Sequence, residues 1–205
     1  VGLFAEFAEC FGIKTDKNTL FSTLYQKAME GDKDCGGMIA CNYYSGEPVT
    51  GLEEGRPMFL RRPDSHLGLA NFMRSHLYAS LATLKIGLDI LLKEEDVKID
   101  SITGHGGLFK TKGVGQSILA AAMNAPISVM ETAGEGGAWG MALLAAYMLF
   151  KKDGQSLEDY LDSRVFAERK SETMEPDLAD VAGFETYTKQ YQACLAAEKA
   201  AVQAF

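Results

Sequence analysis

Apolar residues recur at helical spacing along much of the chain. Leu3, Phe4, Phe7, Ala8 and Phe11 form one such stripe, which stops at Gly12, a residue suited to a helix C-terminus. Thr19 to Glu30 repeats the pattern with Leu20, Leu24, Tyr25 and Ala28. The longest predicted helix covers Leu69 to Leu92, where Phe72, Met73, His76, Leu77, Leu81, Leu84, Leu88 and Leu91 share a face. Arg74, Lys85 and Asp89 fall largely off that face, and His76 falls on it, so His76 reads as a core histidine rather than a ligand. Met38–Tyr43 and Met58–Leu60 read as short strands on either side of the turn-forming run Tyr44 to Pro48. Toward the end, Ser156 caps a short helix, a strand is expected between Arg164 and Glu175, and Pro176 breaks the chain. A terminal helix is expected from Phe184 to Phe205.

The most informative stretch runs from Ile102 to Met148. Asp100 to Thr103 reads as a strand that ends at Gly104, His105, Gly106 and Gly107. Three of those four residues lack a Cβ, so the main chain bends tightly there and presents bare N–H groups. Val114 to Asn124 is a predicted helix closed by Pro126, and Ile127 to Met130 is a second strand. Gly134, Gly136 and Gly137 form a second turn before a helix from Ala138 to Phe150. Two strand–turn–helix units in tandem place both turns at one edge of a sheet, the edge where open α/β sheets bind ligands. The motif is neither the dinucleotide fingerprint nor a Walker A loop, because no Gly-Lys-Ser/Thr follows. A single glycine-rich turn is usually only a turn; its repetition at strand–helix junctions is what points to binding.

Charge and composition narrow the function. The net charge of −8 over 205 residues argues against a nucleic-acid surface, although main-chain donors and a metal ion still allow ATP to bind. Cys10, Cys35, Cys41 and Cys194 are irregularly spaced and read as reduced thiols of a cytoplasmic protein. His66, His76 and His105 are too scattered for a zinc site, and no apolar run is long enough to span a membrane. The chain begins at Val1 without a basic leader, and reads as a piece of a longer protein.

Four blocks, in order, resemble the C-terminal domain of the FGGY carbohydrate kinases: Phe4–Gly12 (FAEFAECFG), Tyr44–Pro48 (YSGEP), the helix HLYASLATLKIGLDIL, and Ile102–Met148. The run GGLFKTKGVGQSILAAAMNAPI is most similar to the ribulokinase and xylulokinase branch. The resemblance implies an α/β fold, the actin-like ATPase (ribonuclease H-like) C-terminal domain, helix-rich and lacking its first strands. Residues 1–165 would form the partial nucleotide-binding domain, and residues 166–205 an extension with a terminal helix. It implies transfer of the γ-phosphoryl group of ATP, with Mg²⁺, to a hydroxyl of a ketopentose such as xylulose or ribulose. The implied nucleotide contacts are Gly104, His105, Gly106, Gly107, Leu108 and Phe109, the last two toward the adenine.

The family's base aspartate and N-terminal domain lie upstream of the part that matches Val1, so no catalytic residue is assigned. Asp64, Glu131 and Glu135 are candidates by residue type alone. Pro48 stands where relatives carry an arginine, which sets aside any cleft role for that side chain, and Glu47 reads as a solvated turn residue. A truncated sheet edge favours self-association as a homodimer. The competing reading is a non-catalytic actin-like module that uses an exposed Met38–Leu60 region as a pairing surface.

Overall fold

A computed structural model describes residues 1–99, 102–130, 136–167 and 171–204. The order is α1 (Gly2–Cys10), α2 (Lys17–Ala28), β1 (Met38–Cys41), β2 (Met58–Arg61), α3 (Leu69–Lys93), β3 (Ile102–Gly104), α4 (Val114–Met123) and β4 (Ile127–Met130), followed by α5 (Gly136–Phe150), α6 (Leu157–Leu161), β5 (Ser171–Met174) and α7 (Leu178–Ala204).

Local chemistry accounts for the element ends. The Asp16 carboxylate accepts 3.0 Å hydrogen bonds from the N–H groups of Asn18 and Thr19 and so starts α2. Asn124, in the left-handed region, ends α4 ahead of Pro126. The terminal helix begins at Leu178, six residues before the expected Phe184. Asp177, just after Pro176, accepts from the N–H groups of Ala179 and Asp180 and caps it there.

β1 and β2 pair antiparallel, with Met38 opposite Arg61. A separate sheet has the order β3-β4-β5, with β3 parallel and β5 antiparallel to β4. The core lies where α3, α4 and α7 meet β1. Met73, Leu77 and Leu81 of α3 face Val114, Ile118 and Leu119 of α4 and Phe184, Tyr187 and Tyr191 of α7 in one buried cluster. Each large apolar side chain buried there contributes about 1.5–3 kcal/mol. The Tyr187 hydroxyl lies 3.0 Å from the Ser75 carbonyl and 3.3 Å from that of Ala40, tying α7 to both α3 and β1.

Two expectations change. Every residue of β1 is buried, so the start of the Met38–Leu60 region is core rather than an exposed pairing surface. Arg74 is fully buried instead of lying off the apolar stripe. Its guanidinium donates to Asp180 Oδ1 and the Tyr78 hydroxyl, and reaches the carbonyls of Ala28, Met29 and Gly31 at the end of α2. The Ala28 carbonyl also accepts the Gly31 N–H at 3.2 Å, and the buried cation adds a donor at a helix end where water often serves. His76 behaves as expected. It is half-buried, stacks on Phe59 at 6.0 Å between ring centroids, and places Nδ1 3.2 Å from Asn42 Oδ1. Burial lowers its pKa, which favours the neutral ring. Cys35 and Cys41 are buried thiols, Cys194 is half-buried and Cys10 is exposed. Among the described residues no helix is long and apolar enough to cross a membrane.

Candidate functional site

Because β3 and β4 run parallel, with Gly104 beside Val129, their C-terminal ends lie at the same edge of the sheet. The segment after β3 divides into residues that pack and residues that stay open. Gly104 is a packing residue: a β-carbon there would lie 2.3 Å from Phe109 Cζ, so the strand end rests directly on the Phe109 ring. Leu108 also packs. Its carbonyl oxygen would be 2.5 Å from a β-carbon at Gly115, which brings the turn onto the first residues of α4. Leu108 and Phe109 both lie half-buried against the core.

Gly106 and Gly107 are the open pair. Gly106 has φ +111°, a conformation that glycine adopts without strain. No heavy atom lies within 4 Å of a β-carbon placed at either residue. The Phe109 N–H donates to the Gly106 carbonyl at 3.1 Å and closes one turn of 3₁₀ helix over Gly107–Lys110. His105 is exposed, and its side chain lies against Gly136, the first residue of α5. Gly136 and Gly137, expected in a second turn before Ala138, are instead the first two residues of α5, and the start of that helix meets the first turn at this pair. Gly134, Glu131 and Glu135 lie outside the described residues.

Two cavities flank the turn. One, of about 620 Å³, opens between α2 and the turn and is lined by Asn18, Phe21, Ser22, Tyr25, Gly107, Lys110 and Thr111. Phe21 and Tyr25 meet edge to face at 5.7 Å, and burial raises the Tyr25 pKa, so the phenol stays neutral. The other, of about 450 Å³, lies toward β4 and β5, with Phe109, Gln116, Val129 and Glu172 in its wall. Two side-chain amides fix the frame. Gln116 Nε2 donates to the carbonyls of Ile127 and Glu172 at 2.7 and 2.8 Å, and Gln26 Nε2 donates to that of Lys112 at 3.2 Å. The Gln26 bond ties α2 to the loop that follows the turn.

The aromatic wall from α2 was not expected at the site. Tyr25 appeared in the sequence only as part of an apolar helical stripe, and nothing local connects it to a turn more than 80 residues away. Asp64 and Glu47 line neither cavity. Asp64 is exposed and pairs with Arg62 at 3.3 Å on the connection after β2. Glu47 accepts from the Val49 N–H at 3.2 Å and so serves its own turn. Among the described residues no group of three or more His, Cys, Asp or Glu side chains could hold a metal ion.

Residues 3–149, more than half of the chain, match the FGGY family of carbohydrate kinases, C-terminal domain. The chain belongs to this family. Solved kinases share its fold, the actin-like ATPase fold of the FGGY C-terminal domain, here rich in helix. Xylulose kinase from Lactobacillus acidophilus superposes with a TM-score of 0.63 at 19% identity, over 85% of this chain and 34% of that one. Gluconate kinase from the same organism gives 0.64 at 18% identity, again over 85% and 34%. Plasmodium falciparum glycerol kinase with ADP gives 0.58 at 17% identity, over 94% and 36%. The chain thus spans about a third of the length of these FGGY kinases. None of the curated proteins compared with it by sequence matches.

Proposed function

We propose that this FGGY domain is the ATP-binding part of a kinase that transfers the γ-phosphoryl group of ATP to a hydroxyl of a ketopentose such as xylulose or ribulose. The observation that carries the nucleotide assignment is the open Gly106–Gly107 pair beside a cavity of about 620 Å³ walled by Phe21 and Tyr25. Unhindered main-chain N–H groups suit phosphate oxygens, and a cavity with two aromatic rings suits a purine. Asn18, with one donor and one acceptor group, is placed to read the polar edge of the base.

Catalysis of phosphoryl transfer is mostly positioning and charge neutralisation, and this domain supplies positioning. Gly104 on Phe109 fixes the strand end, Leu108 on Gly115 fixes the helix start, and Gln26 holds α2 at its distance from the turn. The described residues offer no carboxylate cluster for Mg²⁺, so the metal is assigned to the nucleotide as MgATP and no step is derived through it. The base that takes the sugar proton is assigned to the part of the kinase that resembles the N-terminal domain. The solved relatives are named for xylulose, gluconate and glycerol; the ketopentose choice rests on the resemblance of residues 106–127 to the ribulokinase and xylulokinase branch.

Isothermal titration with ADP tests the site. Gly106→Val and Gly107→Val are each expected to abolish measurable binding, because a branched side chain covers the donors and strains the φ of +111° at Gly106. Unchanged ADP affinity in both variants would leave the turn with a purely architectural role. Mixed with MgATP and D-xylulose, this chain alone is expected to form no sugar phosphate. Turnover above a protein-free blank would show that the base resides within it.

A further inference from the structure

We propose that His105 binds the phosphate end of the nucleotide through its imidazole and that Gly136 aims the ring; this rests on the nucleotide reading above. A β-carbon at Gly136 would lie 2.9 Å from His105 Cβ, 3.2 Å from Cγ and 3.1 Å from Nδ1. The root and Nδ1 side of the imidazole therefore press onto the start of α5, and the Nε2 side is turned away from it. His105 is exposed and directly precedes the open pair Gly106 and Gly107 in the chain. Only glycine at 136 leaves room for this placement.

The direction of the ligand follows from the two ends of the turn. The aromatic cavity touches the turn at Gly107, Lys110 and Thr111, the end remote from β3. A nucleotide with its base there runs its phosphates back past Gly106 toward His105. An imidazole nitrogen presents a hydrogen-bond donor to a phosphate oxygen in either protonation state, after reorientation of the tautomer. The N-terminal end of the fifteen-residue α5, under the same ring, adds a positive partial charge.

The test compares ADP with adenosine by titration calorimetry, because only ADP carries the group His105 contacts. His105→Ala is expected to weaken ADP about five- to tenfold while leaving adenosine unchanged, the size of one hydrogen bond. His105→Gln, which retains an N–H donor, is expected to recover part of the loss. Gly136→Ala is expected to weaken ADP in the same way by displacing the ring, and the double variant to bind no worse than His105→Ala alone. Matching thermal melts establish that the variants fold. Equal losses for ADP and adenosine would reduce His105 to a spacer between the turn and α5 and overturn the proposal, as would unchanged ADP affinity in His105→Ala. Failure of the unaltered protein to bind either ligand would instead remove the nucleotide reading, and this one with it.

Discussion

Arg74→Met is expected to destabilise the fold by about 3–5 kcal/mol, measured by urea unfolding. The side chain is fully buried, and its guanidinium bonds to Asp180, itself only 5% exposed. Methionine fills much of the volume but leaves the Asp180 carboxylate without its buried cation. It also strips a donor from the carbonyls of Ala28, Met29 and Gly31. Lys33, 2.8 Å from Asp180 and half-exposed, retains part of the charge balance, and Asp180→Ala should therefore cost less than Arg74→Met. The double variant Arg74→Met/Asp180→Leu, which removes both charges, is expected to recover part of the loss, since a buried pair is costly chiefly when broken on one side. A loss below about 1 kcal/mol for Arg74→Met would mean that Lys33 alone balances Asp180.

Gly183→Ala is expected to cost about 3 kcal/mol, toward the top of the range for overpacking. A β-carbon there would lie 2.1 Å from the Lys33 carbonyl oxygen and 2.4 Å from its carbon. Main-chain atoms cannot swing aside as the end of a side chain can, so α7 or the segment around Lys33 must shift. Alanine normally favours a helix over glycine by about 1 kcal/mol, so a net loss here reports the clash directly. Gly140→Ala in α5 is the control. Nothing lies within 4 Å of a β-carbon at that position, and the same exchange is expected to raise stability by up to about 1 kcal/mol. Equal effects of the two substitutions in differential scanning calorimetry would mean that α7 does not press on Lys33. Both predictions concern one joint, where α7 meets the end of α2 and the residues after it.

That joint was hidden in the sequence, whereas much of the glycine turn was plain in it. The β4 strand from Ile127 to Met130 and the start of α4 at Val114 follow expectation, because Pro126 and the glycines impose local conformations whatever surrounds them. The order and parallel direction of β3 and β4 were legible for a similar reason: a strand, a helix and another strand in short succession leave few ways to connect. Arg74 shows where such reading stops. A charged residue beside an apolar stripe is normally solvated, and only the arrival of Asp180 more than a hundred residues later makes its burial tolerable. Asp177, by contrast, carried a readable capping signal after Pro176, and with it the earlier start of α7.

By itself the amino-acid sequence determined the helix and strand periods, the glycine turn after β3 and the FGGY resemblance, all of which depend on neighbours within a few residues or on the order of motifs. Tertiary structure decided which of those glycines pack and which stay open, that α2 supplies the aromatic wall, that His105 rests on Gly136, and that Arg74 lies inside. The physical reason is range. Backbone preferences act through adjacent bonds, whereas burial, cavity shape and ion pairing depend on which distant segments are brought within a few ångströms of each other.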